Sequence, residues 1–343
     1  MTTTRGFGLW HNRGARLIAL SLLGVVATGC GSSTASTSGS ATSKVIVLIP
    51  KQTSDPFFTN AEQGAKQAAA QLGYKIDYVG PTTADAAGQV TTIENAIRQH
   101  PAGITISGDD PNAVAPALKQ AMKSGIVVSS YNADVAPTAR QFFISQASDT
   151  AIAKAIVDTM AAQTGGKGNF LLVSSTSTAA NQNTWIAYMR KYIPTKYPRM
   201  HIAQVIPGND DPATVLSVTS SYLSAHKSST TGVWVIGGGM SGAIKAEQQQ
   251  GINPHSIPVA GLCIPSDVKV DIKSGLIKNC LLWSPADTAY ADVYAINAAI
   301  KGKLPVNGTL KAGHLGTLAV TNHTVNVGDP VIFTKANIDN YNF

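Results

Sequence analysis

The chain has 343 residues, 13% of them charged and 44% apolar, with 26 Lys and Arg against 19 Asp and Glu. That length fits two domains of about 100–200 residues each, and the composition excludes a disordered, collagen-like or disulfide-dense chain. The net charge of +7 does not mark a nucleic-acid surface: Arg5, Arg13 and Arg16 lie in an acid-free stretch of the first 30 residues, and the other basic residues form no cluster of the kind that phosphate backbones demand.

In chain order, the first element is an address. Arg5 to Arg16 form a short basic region, and Leu17–Ala27 is an apolar run of 11 residues. A membrane-crossing helix needs about 20, so this run reads as a signal-peptide core. It ends in Ala27-Thr28-Gly29-Cys30, which resembles the cleavage box of bacterial lipoproteins. That resemblance implies that residues 1–30 are a signal peptide running through a lipidated Cys30. Residues 31–43 contain only Gly, Ser, Thr and Ala and read as a flexible tether. The protein is expected outside the cytoplasm, lipid-anchored to the cell membrane and facing the periplasm or the cell exterior.

From Lys44 onward two patterns alternate. Short apolar runs rich in Val and Ile predict strands at Val45–Ile49, Ile76–Val79, Ile104–Ser107, Ile126–Ser130, Phe142–Ile144, Phe170–Val173, Ile202–Ile206, Val233–Ile236, Val259–Leu262 and Cys280–Trp283. Between and after them, helical spacing predicts Phe57–Leu72, Asp85–Gln99, Asn112–Lys123, Asp149–Ala162, Gln182–Tyr197, Pro212–Ala225, Ser241–Gln250, Ser266–Lys273 and Pro285–Ile300. Continuous rather than alternating apolar runs indicate strands covered on both faces, hence parallel sheets. Strand–helix repetition makes the fold class α/β, and ten strands divide better into two sheets than one.

Ligands in such sheets sit off the carboxyl ends of the strands. Those ends carry Lys51, Ser107, Asn132, Asn181-Gln182, Gly238, Met240 and Trp283-Ser284. The set is amide-rich and aromatic. Amides donate and accept together, as sugar hydroxyls do, and the faces of Phe57, Phe58 and Trp283 suit the C–H side of a ring. One of Phe57 and Phe58 is expected in the core and the other, Phe57, in the cleft. The run Gly237-Gly238-Gly239 lacks the following Lys of a phosphate loop and predicts close backbone approach instead.

Several segments together carry a family resemblance: Ile49-Pro50-Lys51 with Pro56-Phe57-Phe58; Asp109-Asp110-Pro111-Asn112; Gly261-Leu262-Cys263-Ile264-Pro265-Ser266-Asp267; Leu282-Trp283-Ser284-Pro285-Ala286-Asp287; and the tail from Val331 to Phe343. They resemble the rhamnose/autoinducer-2-type sugar-binding proteins of ABC importers, which are ribose-binding-protein-like. The resemblance implies the type I periplasmic-binding fold: two Rossmann-like lobes with parallel sheets joined by a three-segment hinge. Crossings are expected near Ser145-Gln146, Trp283-Ser284 and Leu310–His314, giving lobe one as 44–145 plus 285–311 and lobe two as 146–283 plus 312–343. The resemblance further implies ligand contacts from Lys51, Phe57, Asn132, Asn181, Gln182, Gly238 and Met240. Two positions that are carboxylates in autoinducer-2 binders, Asn132 and Asn181, are amides here. A neutral monosaccharide or polyol is therefore favoured over autoinducer-2. The implied partners are an ABC permease and, alternatively, a membrane sensor, with the protein a monomer.

An enzyme has little to stand on in this sequence: HExxH, CxxC and GxSxG are absent, and the seven His are scattered. No metal or cofactor site is read. Cys263 ends one predicted strand and Cys280 starts the next. With parallel neighbours in step, about 13 Å would separate them, beyond disulfide reach, so two free thiols are expected.

Overall fold

All ten apolar runs form strands and all nine Ala-rich stretches form helices. The computed structural model describes residues 43–253 and 255–343; the expected signal peptide, Cys30 and nearly all of the expected tether lie outside them. The first half runs β1 (Val45–Ile49), α1 (Pro56–Leu72), β2 (Lys75–Tyr78), α2 (Ala86–Arg98), β3 (Gly103–Ile106), α3 (Ala115–Lys123), β4 (Val127–Tyr131) and β5 (Phe142–Ala147). It continues with α4 (Asp149–Thr164), β6 (Lys167–Ser174), α5 (Ala180–Lys196), β7 (Arg199–Pro207), α6 (Pro212–His226), β8 (Gly232–Val235), α7 (Met240–Gln249), β9 (Val259–Gly261), α8 (Pro265–Ser274) and β10 (Asn279–Leu282). Last come α9 (Pro285–Ile300), β11 (Gly308–Lys311), β12 (Thr317–Thr321), β13 (Thr324–Gly328) and β14 (Val331–Thr334). Among the described residues no helix is long and apolar enough to cross a membrane.

The strands make two parallel cores of the same winding. The first has the order β2-β1-β3-β4-β5. The second has β7-β6-β8-β9, and a parallel bridge between Leu262 and Leu281 sets β10 beside β9. Each order reverses once, between β1 and β3 and between β6 and β8. Those are the switch points where such sheets open a crevice. Burial explains the all-apolar strands: Ile46, Val47, Leu48 and Ile49 are each at most 1% exposed, because helices cover both faces.

Residues 312–328 correct the sequence-based division. β11, β12 and β13 form an antiparallel meander whose last strand pairs parallel with β5, extending the first sheet. Leu318, Val320 and Val325 alternate inward, and the hairpin turns on Asn322 (φ 53°) and His323 (φ 61°). Two successive positive φ values match the strand twist of a tight hairpin. The third crossing therefore falls at Asp329-Pro330, not at Leu310–His314, and only β14 and the tail beyond it join the second sheet, where β14 pairs antiparallel with β10. The first crossing follows Ala147, which pairs with Gly328, so the two run side by side. The second stands at Trp283-Ser284, between β10 and α9.

The cysteines are a second correction. Cys263 and Cys280 form a disulfide, with Cα atoms 5.7 Å apart. The strands are staggered: Leu262 stands opposite Leu281, so the last residue before Cys263 is level with the residue after Cys280. The chain then turns into α8 instead of running on. An in-step register had placed the pair too far apart.

α1 and α9 lie against each other with almost no space at Gly64. A Cβ there would stand 2.0 Å from the Ala286 carbonyl oxygen, and the Asn60 side chain next to it accepts from the Ala286 N–H at 3.1 Å.

Glu247 on α7 is buried, and its Oε1 has no partner. Burial pushes its pKa from 4.5 up to about 8. Asp292 on α9, buried against Thr105, is pushed from 3.8 to about 7 in the same way. Both groups hold their proton more tightly when folded. Their ionisation penalty is absent below the unfolded values and grows as pH rises through the folded ones, so stability falls between about pH 5 and 8. Glu247→Gln removes one of these ionisation penalties. Its melting temperature should match that of the parent at pH 5 and exceed it at pH 8 in a calorimetric pH series; a variant less stable than the parent at pH 8 contradicts this account.

Candidate functional site

The carboxyl ends of the two sheets face each other across a cavity lined by residues of both lobes. A buried ion pair between lobes, Lys51 with Asp210, forms part of its lining. Lys51 follows β1 by two residues and is 2% exposed; its Nζ lies 3.4 Å from Ser175 Oγ and 3.7 Å from Asp210 Oδ2. Ser175 donates to Asp210 Oδ2 at 2.5 Å, and the Gly238 N–H donates to Asp210 Oδ1 at 2.8 Å. Gln52 Nε2 reaches the Asp210 carbonyl at 3.2 Å. One second-lobe residue thus gathers two side chains from the first. The glycine run gains a reason: a Cβ on Gly237 would stand 2.5 Å from Asp210 Oδ1. The predicted close approach is to this loop.

Asn132 directly follows β4 in the left-handed region (φ 59°), and its Nδ2 donates to Ser107 Oγ at 3.2 Å. Ser107 does not line the cavity; it orients Asn132. Asn181 and Gln182 open α5 and are buried, and neither Asn181 Oδ1 nor Gln182 Oε1 has a partner. Trp283 Nε1 is also buried without a partner. A buried polar atom left unpaired costs about 1–3 kcal/mol, and all three belong to residues that line the cavity. Phe57 meets Trp283 edge-on at 6.2 Å between ring centroids, and Trp185 meets Trp283 at 5.6 Å. Trp185 donates to Asp149 Oδ1 at 2.7 Å, which fixes its ring.

Of the ten residues nominated from the sequence, Lys51, Phe57, Asn132, Asn181, Gln182, Gly238, Met240 and Trp283 line the cavity. Ser107 stands behind it, and Ser284 caps α9, accepting from the Asp287 N–H at 3.1 Å. Phe58, expected in the core, lines the wall beside Phe57 and also packs on Tyr131. Asp210, Trp185, Asp55, Asp267 and Cys263 line it too and were not nominated. Trp185 had a signal, since it lies one turn beyond Asn181 on the same helical face. Asp210 had a weaker one, the Asn209-Asp210 pair after Gly208: Asn and Asp adopt positive φ more readily than other residues, as both do here.

Lys51 is paired with Asp210, and the carboxylates of Asp55, Asp210 and Asp267 outnumber it in the lining. Asp55 caps α1 by accepting from the Phe57 N–H at 2.8 Å. Burial pushes its pKa up to about 6, and the nearby Asp210 and Asp267 add to the rise. Burial also raises Asp267. Asp109, whose carbonyl accepts from Thr178 of the other lobe at 3.1 Å, is pushed to about 6 by burial, with Lys51 pulling the other way. Such a site disfavours anions. Among the described residues no group of three or more His, Cys, Asp or Glu is placed to hold a metal ion.

Comparison with known proteins agrees with this architecture. The profile of the periplasmic binding protein domain matches residues 46–304. LsrB from Clostridium saccharobutylicum, solved in complex with AI-2, superposes with a TM-score of 0.83 at 26% identity, covering 87% of this chain and 100% of that one. A solute-binding protein of an ABC transporter from Clostridium phytofermentas, with bound L-rhamnose, gives 0.83 at 27% identity, covering 88% and 98%. A sugar ABC transporter protein from Actinomyces odontolyticus is 32% identical, with a TM-score of 0.70 over 88% of this chain and 98% of that one. The xylose/arabinose-binding protein XylF of Sulfolobus acidocaldarius is 35% identical over 88 residues, which is 26% of this chain and 22% of that protein. With its family match running from β1 past α9 on a type I periplasmic-binding fold, the chain belongs to the periplasmic binding protein domain family.

Proposed function

We propose that this chain is an exported solute-binding protein that captures a neutral monosaccharide or polyol between its lobes and delivers it to an ABC permease. The observation that carries the reading is the set of unpaired buried groups, Asn181 Oδ1, Gln182 Oε1 and Trp283 Nε1, beside an aromatic wall of Phe57, Trp185 and Trp283. Sugars present hydroxyls at their edges and C–H groups on their faces, which suits this pairing of amides and rings. Lys51 and Asn132 complete the polar side, while Gly238 and Met240 shape the second-lobe wall. The protein acts by binding and closure, not by catalysis, as a monomer held at the membrane through a lipidated Cys30. The relatives solved with AI-2 and L-rhamnose support a ligand of this size.

Calorimetry of the exported protein against pentoses, hexoses, deoxyhexoses, polyols and autoinducer-2 tests the reading. A sugar or polyol should bind, sugar acids and sugar phosphates should not, and binding of autoinducer-2 alone would replace transport of a nutrient with capture of a signal. Asn181→Ala and Gln182→Ala should each weaken the ligand found by about 1–3 kcal/mol; affinities unchanged in both would remove these amides from the site.

A further inference from the structure

We infer that the Cys263–Cys280 disulfide is a positioning element of the ligand cavity: it locks the cavity wall formed by Leu262–Ile264 and the start of α8 to the strand that delivers Trp283. Cys263 itself lines the cavity, between Leu262 and Ile264, and Asp267 and Val268 follow on α8. Cys280 lies on β10, just ahead of Leu282 and Trp283, which line the cavity from the other strand. The inference rests on the binding reading only in what the wall is for.

The seam that the bridge crosses is thin. β6 and β8 are joined by four residue pairs and β8 and β9 by three. Between β9 and β10 there is the single pair Leu262–Leu281, with the Cys263 N–H donating to the Leu281 carbonyl at 3.2 Å. Backbone bonding alone therefore leaves β10 weakly tied on this side. β10 also runs directly into the crossing at Trp283-Ser284, so movement between the lobes pulls on this seam. A covalent link placed here keeps the two walls in register while the lobes move. Cys263 is 5% exposed and Cys280 0%. Thiol–disulfide exchange needs access of an attacking thiolate to sulfur, so burial makes this bond a permanent brace and not a switch.

Three measurements on the exported protein test it. Mass spectrometry after alkylation without reductant should find residues 263 and 280 linked; free thiols at both overturn the proposal. Amide hydrogen exchange compares the parent with Cys263→Ser/Cys280→Ser and, in case that variant does not fold, with Cys263→Ala/Cys280→Val. Exchange should speed by at least tenfold over residues 262–268 and 280–283 and stay unchanged in β6 and β8. Equal acceleration throughout, or none, overturns the local role. Binding of L-rhamnose, or of whichever panel sugar the parent binds, should weaken at least tenfold in the variant, chiefly through faster release; unchanged release also overturns it. A parent that binds no sugar counts against the proposed function alone, because the exchange result reports the brace without a ligand.

Discussion

Asp210→Ala is expected to lower ligand affinity by roughly a hundredfold while changing the urea midpoint little. The carboxylate neutralises Lys51, which is 2% exposed, and it also accepts from Ser175 and from the Gly238 N–H. Removing one partner of a buried pair strands the other charge, at a cost of about 3–5 kcal/mol. Lys51 and Asp210 come from different lobes, so the molecule has an escape: it opens and lets water reach the ammonium. The penalty then falls on closure, and about 3 kcal/mol there is about a hundredfold in affinity. Small-angle scattering should show a larger radius for the unliganded variant than for the parent. Asp210→Asn keeps the shape and the acceptor for Gly238 but not the charge, and should fall between the two. An Asp210→Ala protein that binds like the parent would show that the pair does not govern closure.

Gly64→Ala should be among the most damaging single methyl additions in the first lobe. The new Cβ would meet backbone atoms of Ala286 at 2.0, 2.5 and 2.6 Å, and none of these can rotate away. The helices must separate, and overpacking of this kind costs about 1–3 kcal/mol or more. α1 begins with Phe57 and Phe58, and α9 begins directly after Trp283-Ser284, so separation also displaces two walls of the cavity. A melting temperature lowered by several degrees, with weakened binding, is the expected result; at this chain length about 2–4 °C accompanies each kcal/mol. A variant that melts with the parent would mean that the helices are not held this closely in solution.

The sequence revealed most where period and burial act together. Strands such as Val45–Ile49 and Phe170–Val173 are apolar throughout because helices cover both faces, and their ends mark the crevice without further information. Lys51, Asn132 and Trp283 were found in that way. The C-terminal strands escaped because they are short and largely exposed, so little burial distinguishes Gly308–Lys311 from a loop. The disulfide escaped because strand register is set by packing between chain segments far apart in sequence, and a stagger of two residues decides whether two cysteines meet. Asp210 escaped because its role depends on the far lobe. Asp211, next to it, caps α6 before Pro212, and nothing in the sequence sets Asp210 apart from that cap until Lys51 is brought to it.

The crossing at Asp329-Pro330 has a consequence for how the protein is made. A chain emerging from its N-terminus first delivers β1 to β5, but α9, which covers α1, comes only after the whole of residues 148–284, and β13, which covers the edge of β5, follows later still. The second lobe likewise waits for β14. Neither lobe can finish folding until β13 and β14 have appeared. A nascent protein of this plan stays incompletely folded until those late strands emerge, the condition in which a chain can still be threaded through a narrow membrane channel.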